Sequence, residues 1–276
     1  MERSLVELCG DEFKYLLVSN SFAKASIALS GAQLFSYIKE GESELLWLAS
    51  GAIYEDGTPI RGGIPICWPW FGHHKSDASL PQHGFASLLR WKLSSIKEER
   101  DSTSVTLKLE DSDLSREFWS SSFLLEATFN IGSKLEVKLK TTNRSEEEME
   151  ISQALHTYFR ISDIADLRIK GLDGKRYLDA LDWESKIQNG DVVVDGEIDR
   201  VYQGVSEATL QDRSRVTSIK NSGSSSCVVW NPYGKLHSQM RDGDHRSMIC
   251  LESSNAFDDA RVVPPNSSHT LSLLIF

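Results

Sequence analysis

Two polar residues stand where the chain is otherwise apolar. His156 lies in ALHTYF and Glu252 in MICLESSNA, both segments of strand character. Side chains alternate across a strand, so Ala154, His156 and Tyr158 share one face and Leu155, Thr157 and Phe159 the other. By the same parity Cys250 and Glu252 lie opposite Ile249 and Leu251. A glutamate on an apolar strand is costly to bury unless it is paired or its pKa shifts. An imidazole and a carboxyl group converging from two strands can act as a reversible acid–base pair. His156 also fits a hydrogen-bonded core residue, and convergence is a matter for the fold.

A second group of candidates is the run RGGIPICWPW, residues 61–70, followed by Phe71 and Gly72. Two glycines widen the accessible backbone angles, and Pro65 and Pro69 fix φ and remove two donors. Such a stiff loop can hold an anion at Arg61 and present the aromatic faces of Trp68, Trp70 and Phe71. It can equally be a buried crossover with both tryptophans in the core. His83, in QHGF, fits a ligand or a loop cap, whereas His73 and His74 sit in a hydrophilic stretch that reads as surface. No GxSxG, P-loop or GxGxxG occurs, and no histidine stands at metal-ligand spacing from another His, Cys or acid.

The elements that must position these residues are short strands. Ala25, Ile27 and Leu29 alternate before a turn at Gly31, and residues 45–48 form an apolar run fit for a buried strand. Val105, Leu107 and Leu109 share one face, as do Leu135, Val137 and Leu139. Residues 111–120 allow one helical turn, and 234–246 a short helix around His237 to Met240. The segment GLDGKRYLD, 171–179, reads as a hairpin turn, and Trp230 in WNPYG as a packing residue after which Asn-Pro turns. Many short strands and few helical periods predict an all-β sandwich, with residues 1–276 forming a single large domain.

Composition narrows the function. Acidic residues outnumber basic ones by 40 to 30, which argues against non-specific nucleic-acid binding but leaves room for an anionic small molecule in a pocket holding a few arginines. Charges interrupt the N-terminal segment, so it does not read as a signal peptide, and no window reaches the apolar length of a membrane span. Four cysteines without CxxC spacing, Cys9, Cys67, Cys227 and Cys250, read as free thiols in a reducing cytoplasm.

RGGIPICWPWFG, QHGFA, LHTYFRISDI, GLDGKRYLD, WNPYGK and CLESSNA occur in that order between about residues 53 and 255. Together they resemble the glucose-6-phosphate 1-epimerases, the hexose-6-phosphate mutarotases of the aldose 1-epimerase group. The resemblance implies a galactose-mutarotase-like supersandwich, usually monomeric, with no metal and no organic cofactor, acting on a small sugar phosphate. It implies that His156 and Glu252 are the catalytic pair, that Arg61 and Gln82 contact the sugar phosphate, and that Asp199 contacts a sugar hydroxyl. Glu252 would take the proton of the C1 hydroxyl while His156 protonates the ring oxygen. The roles reverse when the ring closes on the other face.

One position departs from the pattern. The family motif continues QHGFAR, whereas Ser87 follows Ala86 here. Serine cannot supply the bidentate hydrogen bonds of a guanidinium. The resemblance therefore leaves the phosphate to Arg61 alone or with Arg90 turned inward, or else implies an unphosphorylated sugar or a sugar-binding protein without catalysis.

Overall fold

The computed structural model describes residues 4–276; residues 1–3, the start of the N-terminal segment discussed above, lie outside the described residues. Two antiparallel eight-stranded sheets dominate. The first carries, in spatial order, Glu184–Ile187, Arg176–Asp179, Ile198–Gln203, Ser226–Asn231, Met248–Asn255, Gln153–Leu155 and Ile66–Cys67, with Tyr158–Arg160 also paired to Met248–Asn255. The second runs Arg168–Lys170, Glu207–Gln211, Val216–Ser222, Ser268–Ile275, Leu135–Asn143, Phe123–Gly132, Ser102–Glu110 and Lys92–Glu98. A four-stranded sheet covers Leu5–Cys9 to Leu34–Lys39, and Met149–Ile151 pairs with Arg261–Val263.

The second sheet shows the period-two burial predicted for it. Val105, Leu107, Leu135, Val137 and Leu139 point inward, with half-exposed polar residues between them. They meet Ile66, Leu155, Phe159, Val229, Ile249 and Leu251 of the first sheet in one core cluster that draws on residues from Leu16 to Ile275. Strand Met248–Asn255 is buried along its whole length, so something covers both of its faces. One face meets the main core. The other carries the candidate site.

Several local expectations need correction. Leu45, Leu46 and Trp47 are buried and Leu48 half-buried, but residues 45–48 make only isolated bridges, Leu46 to Phe159 and Leu48 to Gly62, rather than a ladder. The segment 171–175 is a link, not a hairpin. It carries the chain from strand Arg168–Lys170 of one sheet to Arg176–Asp179 of the other. No helix forms at His237 to Met240, where Gln239 adopts a left-handed φ of 68° that a helix excludes. The short 3₁₀ turn falls later, at Asp244–Ser247. The helical turn expected within 111–120 is Asp113–Arg116, capped reciprocally by Ser112 and Ser115.

Candidate active site

Register across the first sheet assembles the site. Asp199, Trp230, Cys250 and Tyr158 are successive partners in one row, and Val201, Val228 and Glu252 form the next. Gln203, Ser226, Ser254, Ala154 and Cys67 form a third. Residues two apart on a strand share a face, so these rows lie on the side away from the main core. Two small hydrophobic clusters carpet that side. Trp47, Ala49, Tyr158, Met240, Met248 and Cys250 form one, and Val201, Val228 and Ala256 with Phe71 form the other; Trp230 packs against both.

His156 reaches this face through a break in its strand. Pairing stops after Leu155 and resumes at Tyr158. Between them Thr157 N donates to Leu155 O at 2.9 Å, and His156 N donates to Pro65 O at 3.0 Å. Leu251 N donates to Thr157 O and locks the kink to the glutamate's strand. His156 Nε2 stands 3.3 Å from Glu252 Oε1, and the two side chains are 12% and 1% exposed. The imidazole lies parallel to the Tyr158 ring at 4.8 Å, with the Trp230 indole edge-on at 6.2 Å.

Burial dominates the electrostatics. Desolvation, then the neighbouring Asp199, holds the Glu252 carboxyl well above the usual carboxylate range. Desolvation, then the neighbouring His83 and Arg61, pushes the His156 imidazole well below its ordinary value. Although their spacing qualifies as an ion pair, both directions favour the neutral forms. The two groups together hold one ionisable proton, either as carboxyl and imidazole or as carboxylate and imidazolium. Glu252 Oε2 and His156 Nδ1 are buried and have no partner among the described residues. That leaves an acceptor and a ring nitrogen of the pair free to meet a substrate.

The loop 61–72 builds one wall. At Gly62 and Gly63, φ is 129° and 64°, and a Cβ would lie 2.2 Å from Trp47 O and 2.4 Å from Leu34 O. The two glycines therefore let the loop pass against two backbones at once. Gln33, fully buried, donates to Ile60 O and Gly62 O and accepts from Ile60 N. Gln239 Oε1 accepts from Arg61 N. So fixed, Arg61 donates from Nη1 to the Tyr158 hydroxyl at 3.2 Å and from Nε to Ser238 O at 3.3 Å.

His83 completes the near side. Its Nδ1 accepts from Gly72 N at 3.1 Å, so a neutral ring carries its proton on Nε2. Burial, with Arg61 and His73 nearby, lowers its pKa to about 4, which keeps it neutral. Its ring centroid lies 5.7 Å from that of His156 and 5.0 Å from that of Phe71. Asp199 stands across the sheet from this corner, its pKa raised to about 6 by burial, then by Asp179 and Glu197.

The fold does not gather every residue singled out from sequence. Trp70, 8% exposed, packs in the main core against Phe85 and His74, and its indole N–H donates to Pro81 O. Trp68 is likewise core, donating to Thr141 Oγ1. The core reading holds for both tryptophans, and Phe71 alone of the three aromatics faces the site. Arg90 is exposed and ion-paired with Asp56 at 2.8 Å, so the inward turn is not seen. Ser87 is buried with its backbone against Gly31. Gln82 is exposed on the turn beside His83.

Sequence reasoning underrated Trp230 and overlooked Trp47 and His237. Trp230 belongs to the site because it shares the parity of Val228, and His237 packs edge-on against it at 5.2 Å. Elsewhere, a surface depression of about 300 Å³ is lined by Asp166, Arg168, Lys170, Asp191, Asp212 and Arg213. Arg213 is ion-paired to Asp166 within it.

Comparison with known proteins agrees with this fold. The family model described as aldose 1-epimerase matches residues 14–275. A protein of Escherichia coli, provisionally named as a glucose-6-phosphate 1-epimerase, is 34% identical over 94% of this chain and 89% of its own. One from Cenchrus ciliaris with the same provisional name is 32% identical over 83% and 74%. A crystal structure from Salmonella typhimurium, provisionally named as a mutarotase, superposes with a TM-score of 0.90 at 31% identity, covering 97% of this chain and 91% of that one.

Proposed function

The chain belongs to the aldose 1-epimerase family and is an epimerase, and we propose that it interconverts the α and β anomers of a hexose 6-phosphate. The observation that carries the reading is the buried pair of His156 Nε2 and Glu252 Oε1 at 3.3 Å. Anomerisation needs one group to remove the C1 hydroxyl proton while another delivers a proton to the ring oxygen, and then both to reverse. A pair that shares one proton in a water-poor site can do this without net proton uptake. In the productive form Glu252 is the carboxylate base and His156 the imidazolium acid. Sugar hydroxyls offer hydrogen bonds to the charged pair, which offset the desolvation that favours the neutral one.

The other roles follow from position. Neutral His83 offers Nε2–H beside His156. Asp199 accepts from a sugar hydroxyl on the far side of the row. Phe71 supplies an apolar face for the ring. Arg61 is the cation of the loop and the proposed phosphate contact, with Gln82, on the turn beside His83, as a second one. With Arg90 paired to Asp56 and serine at position 87, the phosphate rests mainly on Arg61. The reading extends to a monomer and to a single domain, with which a core cluster drawing on residues from Leu16 to Ile275 agrees. It also extends to a reducing cytoplasm, with which the free, buried Cys67, Cys227 and Cys250 agree. No helix among the described residues is long and apolar enough to cross a membrane.

Exchange between anomer resonances of glucose 6-phosphate and of glucose, with His156→Ala as control, tests the reading. Enzyme-dependent exchange favouring the phosphorylated sugar supports it. Preference for free glucose removes the phosphate, and exchange in neither removes the anomerase.

A further inference from the structure

Glu252 and His156 have a third neighbour that the acid–base chemistry does not use. Cys250 is fully buried two residues before Glu252 and on the same face of the strand. Its Sγ, a ring nitrogen of His156 and a Glu252 carboxylate oxygen all lie within 4.8 Å of one another. A thiol, an imidazole and a carboxyl group form the donor set of a borderline-soft divalent ion. The spacing fits as well. With zinc–nitrogen and zinc–oxygen bonds near 2.0–2.2 Å, tetrahedral N and O ligands stand about 3.4 Å apart. His156 Nε2 and Glu252 Oε1 stand at 3.3 Å. An N or O ligand and a sulfur ligand stand about 3.6 Å apart in such a site, so Sγ needs to move by about 1 Å at most.

Charge and open valence point the same way. A divalent ion balances one thiolate and one carboxylate, so the buried site stays neutral overall, which limits the desolvation cost. The thiol proton and the proton of the acid–base pair leave to solvent. Glu252 Oε2 is buried and without a partner among the described residues, so the carboxyl group keeps an open valence. His156 Nδ1 also lacks a partner there, whereas a ligating histidine in a resident metal site is usually held by an outer hydrogen bond. The arrangement suits an ion that competes with the substrate rather than one retained as a cofactor.

We propose that His156, Cys250 and Glu252 form an inhibitory site for a thiophilic divalent cation, zinc above all, that occupies the acid–base pair and excludes the sugar. The inference goes beyond the anomerase reading, because binding can be read without turnover. The test is titration of the full chain with cobalt(II) as a spectroscopic probe, alongside zinc inhibition of anomer exchange. The expected result is a one-to-one thiolate-to-cobalt charge-transfer band, with zinc inhibition that added sugar relieves. Cys250→Ala should lose the band and weaken zinc inhibition by about tenfold or more, with inhibition read against the variant's own zinc-free rate. Cys250→Ser serves the same purpose should the alanine variant not fold. Cys67→Ala, two rows from Cys250, should change neither. Absence of the band, a band that follows Cys67, or zinc inhibition unchanged in Cys250→Ala overturns the proposal. If anomer exchange itself is missing, the cobalt band alone decides the metal site.

Discussion

His156 Nε2 and Glu252 Oε1 are 3.3 Å apart, and they come from segments almost a hundred residues apart in sequence that strand pairing brings side by side. The kink at Thr157 turns the imidazole toward the carboxyl group, and the buried ladder of Met248–Asn255 fixes the carboxyl group. Because both groups are held by backbone hydrogen bonds rather than by flexible loops, the pair is preorganised before substrate arrives.

Arg61 and Arg90 should behave differently. Arg61→Ala removes a charge-assisted contact to the phosphate. It should lower kcat/KM for glucose 6-phosphate by about tenfold to a hundredfold, mostly through KM, with a smaller effect on free glucose. Arg90→Ala breaks an exposed pair with Asp56 and should leave both parameters within about twofold. Steady-state anomerisation on both sugars checks this. Equal losses in the two variants would return Arg90 to the site.

Asp199→Asn should stabilise the protein at neutral pH while weakening sugar binding. Burial, Asp179 and Glu197 raise the Asp199 pKa to about 6, above its unfolded value. The folded state therefore binds this proton more tightly, and stability falls as pH rises from about 4 through about 6. Above that window the asparagine variant should be more stable by about 3 kcal/mol at most, and below it the two should converge. Urea unfolding at pH 4 and pH 8 measures the difference. A variant less stable than wild type at pH 8 contradicts the assignment.

Gly62→Ala tests the wall of the site. The added methyl meets Trp47 O at 2.2 Å and sits at a φ of 129°. The expected cost is about 3 kcal/mol or more, read as a drop in the urea midpoint. A loss below about 1 kcal/mol would mean that the loop relaxes freely and does not fix Arg61.

Much of this site was legible in the sequence. Parity alone placed His156 with Tyr158 and Glu252 with Cys250, since burial on both sides leaves a strand little freedom of register. The glycines of the RGG run signalled unusual backbone angles, and the structure uses them at φ of 129° and 64° to pass the backbones of Trp47 and Leu34. Aromatic residues were the harder problem. Trp68, Trp70 and Phe71 look alike in sequence, yet the two tryptophans turn into the main core and only Phe71 faces the site. Trp230 looked like packing because its partners lie on strands far away in sequence. Long-range register, not local composition, decides which side of a sheet an indole occupies.

The account rests on Glu252 as base and His156 as acid, and anomer exchange of glucose 6-phosphate in Glu252→Gln tests it most directly. Glutamine keeps the shape and cannot accept the C1 proton. The rate should fall by about a hundredfold to ten-thousandfold toward the spontaneous rate, with urea stability at or above that of wild type. His156→Ala should show a comparable fall. Glu252→Gln that still exchanges anomers at close to the wild-type rate would contradict the mechanism.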